Sequence, residues 1–267
     1  DYGTGEGGSL FDFVSKFANI TRGEVYDWLA SFRNMVPESE YKAVIAPILQ
    51  RPHHASRIVI DSSSHKFTRY KLVEYATSRA VSKEILEKYC EEVLYHIDSS
   101  PERQFYAIGF KNNTGGYVLR SSLSKRCSSS DITTLGPDGQ CTDKVTGNKV
   151  LVFEGFMDFL SWMTDVHQMT PDYDCCILNS VTNVTKALPW ILQHSNIAAF
   201  MDNDQAGKDT LQKIMESVPE SANDDVCVYD MSRLYEGYND LNEKLSDELN
   251  NGNHSSNNTK HHGTKTI

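Results

Sequence analysis

Residues 152–158, VFEGFMD, decide the fold of this chain together with a similar stretch, FMDNDQAG, at residues 200–207. In each stretch, an apolar run too short for a helix stops at carboxylates. This pattern is typical of a buried strand that ends in an acidic side chain. Because sites in an open parallel sheet form at the carboxyl ends of strands, we expect Glu154, Asp202 and Asp204 to converge on one spot.

Carboxylates that converge in this way need a positive partner. At 4 Å and an effective dielectric constant of about 20, two such charges repel by about 4 kcal/mol. A proton, a basic side chain or a cation must offset that repulsion. Neither stretch contains His or Cys, and oxygen ligands alone favour Mg²⁺ or Mn²⁺. Asp158 is either a further ligand or an acid that suits the N-terminal turn of a helix.

Other motifs with a similar pattern of acids and glycines do not fit. An EF-hand loop that begins at Asp202 needs an oxygen ligand at its fifth position and Glu at its twelfth, where this chain has Ala206 and Lys213. A phosphate-binding P-loop needs Ser or Thr after its Gly-Lys pair, and Gly207-Lys208 is followed by Asp209. A solvated loop whose Asp caps the next helix stays open as an alternative.

Composition bounds the class of protein. The 267 residues carry a formal charge of −10, which argues against a protein that coats nucleic acid but allows an enzyme with a local basic face. No run approaches the roughly 18 apolar residues that span a bilayer, so no membrane segment is predicted. The six cysteines form no C-x-x-C pair, which favours reduced thiols in the cytoplasm. The chain starts at Asp1 without a signal peptide, and we interpret it as a fragment or a trimmed product.

The order of predicted elements indicates an α/β protein with a mainly parallel sheet. Residues 68–98 are predicted to be helical, and 103–126 to form a hairpin. From residue 149 onward, strands (149–154, 174–179, 197–202, 225–230) alternate with helices (156–167, 183–195, 205–217, 239–249). The predicted regions are 1–35 with helices after a glycine-rich start, a linker at 36–67, a smaller α+β region at 68–148, an α/β domain at 149–249 and a disordered tail at 250–267.

The two acidic stretches resemble the TOPRIM domain of bacterial primases, topoisomerases and related nucleases. That family carries Glu-Gly after its first strand and Asp-x-Asp-x-x-Gly after a later one. The resemblance implies a Rossmann-like fold, Mg²⁺ or Mn²⁺ as cofactor, and a set of site residues. The implied catalytic and metal-binding acids are Glu154, Asp202 and Asp204, with Asp158 and the looser match Asp240 as further ligands and Gly155 and Gly207 as structural glycines. Asn179-Ser180 stands where many family members have Gly-Thr.

The flanking segments resemble the N-terminal subdomain of a DnaG-type primase core. Residues 78–82 are similar to the family's Arg-Gly-[Ile/Val]-Ser element, with Ala80 in place of Gly, and a hairpin over 105–120 matches one that carries an Arg. Residues 1–14 look like the end of a zinc-finger module. Zinc ligands would lie upstream, and no zinc is expected in this fragment. The resemblance looks closest to primase-like proteins of mobile elements from Bacteroides-like bacteria.

One basic stretch suits nucleic acid. Residues 103–149 contain seven basic and three acidic side chains. Ordinary surface charge is the alternative to contacts with template phosphates or the incoming triphosphate. The candidate nucleic-acid and nucleotide contacts are Arg79, Lys111, Arg120, Lys125 and Arg126.

Three functions stay open at this point. The first is a primase that makes short RNA primers on single-stranded DNA from ribonucleoside triphosphates, with two divalent ions and any helicase as a separate partner. The second is a TOPRIM nuclease that uses the same acids. The third is an inactive module that only binds single-stranded DNA.

Overall fold

The computed structural model describes residues 57–220 and 225–258, together with eight single residues between Val14 and Trp28. The chain divides into two compact units, Asp1–Ala55 and Ser56–Ile267, and every element bounded below belongs to the second. The predictions for residues 1–35, including the zinc-module tail, fall largely outside the described residues. No helix of the described part is long and apolar enough to cross a membrane.

The first half of the described chain is an antiparallel sheet with two helices. The strand order is β1-β2-β3-β4-β5, and the predicted hairpin is present as β3 and β4. Ser82 caps the second helix by accepting a hydrogen bond from the Ile85 N–H over 3.3 Å. The elements are β1 (Ile58–Ser64), α1 (Tyr70–Ser78), α2 (Lys83–Tyr89), β2 (Cys90–Ile97), β3 (Ser100–Lys111), β4 (Tyr117–Ser121) and β5 (Ser124–Cys127).

Two sequence predictions for this half are wrong in part. The helical pattern predicted over 68–98 ends at Tyr89, because Cys90–Ile97 pairs with β3 as a strand. Its Glu and Leu residues favour a helix in isolation, but Val93 and Tyr95 are buried in the sheet and the tertiary pairing prevails. The linker predicted over 36–67 does not extend over Ile58–Ser64, which pairs with β2.

The second half is a sheet in the order β10-β9-β7-β8-β6. Strands β7 to β10 pair in parallel, and the short β6 pairs antiparallel with β8 at one edge. The predicted mainly parallel sheet is therefore confirmed. The elements are β6 (Thr133–Leu135), β7 (Lys149–Phe153), α3 (Phe156–Asp165), β8 (Asp174–Ile177), α4 (Val184–Ile191), β9 (Asn196–Phe200), α5 (Gln205–Glu216), β10 (Cys227–Asp230) and α6 (Leu241–Asn258).

The last helix is longer than predicted. The expected helix over 239–249 is present, but it continues to Asn258. The prediction of a disordered tail from residue 250 is therefore wrong for residues 250–258, and 259–267 lie outside the described residues.

The pairing of β7 with β9 sets the position of the acidic stretches. Phe153 lies opposite Phe200 in the register of the two strands, and their rings stack with centroids 4.7 Å apart. Both side chains are buried in the core beneath α3. Because the strands are parallel neighbours and end level with each other, the residues that follow them emerge at the same edge of the sheet.

Candidate active site

The ends of the two central strands are joined by hydrogen bonds. The Glu154 N–H donates to the Phe200 carbonyl over 3.2 Å, and the Asp202 N–H donates to Glu154 Oε2 over 3.2 Å. The Asn239 side chain donates to Asp202 Oδ2 over 3.4 Å. Glu154 and Asp202 are therefore neighbours, although 48 residues separate them in the chain.

These acids line a small cleft at the carboxyl ends of the strands. Four carboxylates and three basic side chains line the cleft. The acids come from three separate segments of the second half of the chain, and the basic side chains come from the first half. The lining residues are Arg79, Arg120, Lys125, Glu154, Gly155, Met157, Asp158, Asn179, Ser180, Asp202, Asp240 and Asn242.

Asp204 lies next to this cleft but does not line it. Its Oδ1 accepts a hydrogen bond from the Gly207 N–H over 2.8 Å, which makes Asp204 the N-cap of α5. After burial, which is the largest cause, the charge of Asp204 is among those that raise the pKa of Glu154 and Asp202. The structure thus brings two of the three predicted catalytic acids together in the cleft and places the third at its border.

Burial and mutual repulsion destabilise the ionised acids. Burial first, and then the charges of Glu154 and its neighbours, raise the pKa of Asp202 to about 8. Burial, followed by the charge of Asp240, raises the pKa of Asp158 to about 7. The pKa of Glu154 is raised as well, chiefly by burial. A cation bound at this edge would relieve this repulsion.

The donor set suits a hard cation, since the cleft offers carboxylate and amide oxygens and its lining includes neither His nor Cys. Within the part of the chain that the structure describes, however, no three His, Cys, Asp or Glu side chains lie together as a set of metal ligands. The acids therefore share a cleft without forming a closed cage, and metal binding stays a prediction.

Two glycines let the backbone pass close to the acids. A Cβ on Gly207 would lie 2.1 Å from the Asp202 carbonyl oxygen, so only glycine allows the first turn of α5 to approach the end of β9. A Cβ on Gly155 would lie 3.0 Å from Asp158 Oδ2. The close approach at Gly207 is the tighter of the two and fixes the loop that carries Asp202.

Asn242, which no sequence motif marked as a site residue, connects the cleft to the first half of the chain. Its N–H donates to Asp158 Oδ1 over 3.1 Å, and its side-chain amide donates to the Arg79 carbonyl. The first turn of α6 is thus joined to α3 and to the end of α1. The position of Asn242 two residues beyond the candidate Asp240 was the one feature of the sequence that indicated a place in the site.

Unpaired polar atoms concentrate at this cleft. Four buried side-chain polar atoms of the described residues have no hydrogen-bond partner, and all four belong to residues that line it. They are Arg79 Nε, Arg120 Nε, Asn179 Oδ1 and Asn242 Oδ1. Buried polar atoms are almost always paired, so this group of unpaired ones makes the cleft a candidate binding site.

The two departures from glycine in the resembled motifs share a backbone conformation. Ala80 has φ 54° and Asn179 has φ 62°, both in the left-handed region that glycine adopts readily. At both positions the backbone therefore keeps the conformation that glycine adopts readily, although the residue is not glycine. At Asn179 this residue also brings a polar side chain into the site.

The basic residues predicted to bind nucleic acid fall into two groups. Arg79, Arg120 and Lys125 line the acidic cleft. Arg126 lines a second cleft of about 320 Å³, which shares Lys125, Asn179 and Ser180 with the first. Lys111 lies elsewhere, with its Nζ 5.6 Å from the centre of the Tyr117 ring, and the structure does not bring it to the site.

Comparison with protein families gives a match for the second half of the chain. Residues 151–245 match the family model described as Toprim-like. The matched region includes Glu154, Asp202 and the other acids of the cleft, and the expected α/β fold class is confirmed. Residues 61–129 match a domain of unknown function, DUF8464, and no curated protein matches the chain.

Two solved structures from bacteriophage T7 are similar to the chain. The first is the primase fragment of the T7 primase-helicase protein, with 18% sequence identity and a TM-score of 0.43 over 71% of this chain and 73% of that chain. The second is the T7 lagging-strand DNA polymerase with primase domains of two gp4 subunits bound to an RNA/DNA hybrid and dTTP. It has 18% identity and a TM-score of 0.41 over 66% of this chain and 84% of that chain.

Proposed function

We propose that this chain is a primase-type nucleotidyltransferase that makes short RNA primers on single-stranded DNA. The observation that carries the proposal is that acidic and basic side chains line one cleft. Glu154 and Asp202 lie at the ends of the central strands of the region that matches the Toprim-like model, and Arg120 and Lys125 reach the same cleft from the antiparallel sheet. Phosphoryl chemistry needs both kinds of charge at one place.

The reaction joins two nucleotides. The 3′-hydroxyl of one nucleotide attacks the α-phosphorus of an incoming ribonucleoside triphosphate, the new O–P bond forms, and pyrophosphate leaves with the electron pair of the broken bond. The hydroxyl proton passes to a base. Glu154, whose pKa is raised mainly by burial, is suited to take that proton or to bind the cation.

Mg²⁺ or Mn²⁺ is the proposed cofactor. Glu154 and Asp202 would hold it, with Asp204 at the border and Asp158 and Asp240 as further acids. The raised pKa of Asp202 and the oxygen-only donor set fit such an ion. Bound there, a divalent cation neutralises phosphate charge and stabilises an in-line displacement.

The basic side chains of the two clefts have separate proposed roles. Arg79 and Arg120 line the cleft beside the acids, their buried Nε atoms have no partner, and guanidinium groups suit triphosphate oxygens. Lys125 and Arg126 are exposed on β5 beside the second cleft and suit the template or the nucleotide there. A replicative helicase would be a separate partner. The resemblance of the segments around Arg79 and the hairpin supports the proposal of a DnaG-type core of the mobile-element kind. The cytoplasm is the proposed location.

A primer-synthesis assay tests this proposal. The wild-type chain is incubated with single-stranded DNA, labelled ribonucleoside triphosphates and Mg²⁺ or Mn²⁺, and Asp202→Asn serves as the matched variant. We expect labelled oligoribonucleotides from the wild type and at least about a hundredfold less from the variant. Cleavage of the DNA without any nucleoside triphosphate would instead identify a nuclease, and equal products from both proteins would exclude the proposed site.

A further inference from the structure

Asn179 holds a buried oxygen that no group in the described chain satisfies. Its side-chain nitrogen donates to the Asp131 carbonyl and to Thr133 Oγ1, each over 3.0 Å. These two bonds use both amide hydrogens and fix the orientation of the amide. The opposite atom, Oδ1, is buried without a partner, and the residue as a whole is 9% exposed.

The residue that carries this oxygen lines two clefts. Asn179, Ser180 and Lys125 line both the acidic cleft and the neighbouring cleft of about 320 Å³. The lining of the second cleft also includes Asp131 and Asn183. A ligand that occupied both clefts would lie beside these three shared residues.

The kinds of unpaired atom indicate which part of a ligand belongs at each place. Arg79 Nε and Arg120 Nε are donors and match the acceptor oxygens of phosphates. Asn179 Oδ1 can only accept a hydrogen bond, so an ionised phosphate oxygen cannot satisfy it. The part of a nucleotide that lies beside the phosphates and carries donors is the sugar, with its hydroxyl groups.

We propose that Asn179 Oδ1 accepts a hydrogen bond from the 2′-hydroxyl of the incoming ribonucleoside triphosphate, and that Asn179 thereby selects ribonucleotides over deoxyribonucleotides. The inference rests on the proposed function, because it takes a nucleoside triphosphate to be the ligand. The 3′-hydroxyl is common to both kinds of nucleotide and cannot distinguish them. Loss of the 2′-hydroxyl leaves the buried oxygen unpaired, which is the situation in which polar sites reject an analogue strongly.

The backbone at this position supports a role for the side chain. Asn179 adopts φ 62°, a conformation that glycine enters without strain and that Asn and Asp tolerate. Glycine would therefore satisfy the turn alone. The amide adds two hydrogen bonds that fix its own orientation and one buried oxygen that is left without a partner.

Equilibrium binding tests the inference without turnover. Affinities for ATP, 2′-deoxyATP and 3′-deoxyATP are measured by calorimetry with Mg²⁺ and no template, for the wild type, Asn179→Gly and Asn179→Asp. We expect the wild type to bind ATP and 3′-deoxyATP alike and 2′-deoxyATP roughly tenfold more weakly. Asn179→Gly, which keeps the backbone conformation, should bind all three within about twofold of one another. Asn179→Asp keeps an acceptor but loses the two donated hydrogen bonds that fix the side chain, so it should also bind all three within about twofold of one another, and its added charge should weaken all three affinities.

Three results would overturn the inference. The first is a wild type that binds all three nucleotides alike or binds none of them. The second is an Asn179→Gly variant that keeps the wild-type preference, and the third is a wild-type preference that depends on the 3′-hydroxyl. Failure of the proposed function is a separate result: primer synthesis would be absent while the 2′-dependent binding and its loss in Asn179→Gly remained.

Discussion

The Asp202 N–H donates a hydrogen bond to Glu154 Oε2 over 3.2 Å. The acid at the end of β7 is thereby oriented by the main chain at the end of β9. Burial and the neighbouring carboxylates nevertheless raise the pKa of both acids. The fold therefore holds together two acids that repel each other, an arrangement found at functional sites more often than at structural ones.

Asp204 is expected to have two separable roles. It caps α5 through the Gly207 N–H, and we propose that its charge also serves the cation. Asp204→Asn keeps a capping oxygen, so its free energy of unfolding should stay within about 0.5 kcal/mol of wild type, whereas Asp204→Ala should lose about 1 kcal/mol. Both variants should lose primer synthesis by about tenfold or more, because both remove the charge.

Urea unfolding and the primer assay on the same preparations distinguish these roles. If Asp204→Asn is as active as the wild type, Asp204 serves only as a helix cap and its charge has no role in the reaction.

Gly207 is expected to tolerate no side chain. A Cβ there would lie 2.1 Å from the Asp202 carbonyl oxygen, so Gly207→Ala must displace either α5 or the Asp202 loop. We expect a loss of about 2–3 kcal/mol in the free energy of unfolding, measured in urea. Gly147→Ala is the matched control, since a Cβ at Gly147 would meet nothing within 4 Å. Equal stabilities of the two variants would refute this account of the loop.

Lys125 is expected to contribute to binding of single-stranded DNA, whereas Lys149 from the same basic stretch is not. Lys125 lines both clefts. Lys149 begins β7 at the opposite end of the sheet, with its Nζ 4.2 Å from the centre of the Tyr173 ring. Lys125→Ala should weaken DNA binding and lower the slope of log K against log salt by about 1.

Fluorescence anisotropy over a salt series, with Lys149→Ala as the control, measures both quantities. Identical salt slopes for Lys125→Ala and wild type would place the DNA elsewhere on the molecule.

Asp174 is expected to give the protein part of its acid sensitivity. Burial alone would raise the pKa of Asp174, but hydrogen bonds donated by Thr146 and His194 outweigh it and lower the pKa. A lowered pKa means that the folded state binds this proton less readily than the unfolded chain. The contribution of Asp174 is therefore complete above a pH of about 4 and is lost as the pH falls through the folded-state pKa.

The free energy of unfolding from pH 6 to pH 3, measured in urea, tests this direction. Asp174→Asn should show a shallower fall below about pH 4 than the wild type. An equally steep fall in both proteins would assign the acid sensitivity to other carboxyl groups.

The position of the acidic site could be predicted from the sequence because it depends on short-range patterns and one topological rule. Buried apolar runs that stop at carboxylates predicted the ends of β7 and β9, and parallel pairing of neighbouring strands brings those ends together. The roles of the individual residues were harder to predict. An Asp before a helix is equally suited to capping and to metal binding, so the pattern around Asp204 could not distinguish them.

Other features depend on tertiary contacts that local patterns do not contain. Cys90–Ile97 has helix-favouring residues, and only its pairing with β3 makes it a strand. Asn179-Ser180 was visible as a departure from Gly-Thr, but the left-handed backbone and the unpaired oxygen follow from contacts with residues 131–133. The sequence distance of 46 to 48 residues placed those contacts beyond any local pattern.

The most direct test of the central claim, that these acids bind one divalent cation, is Mn²⁺ binding measured by electron paramagnetic resonance. We expect the wild type to bind Mn²⁺ and Asp202→Asn to bind it at least about tenfold more weakly. Asp172→Asn, which removes an exposed carboxylate away from the cleft, should bind Mn²⁺ like the wild type. Equal Mn²⁺ affinities for the wild type and Asp202→Asn would contradict the assignment of this cleft as a metal site.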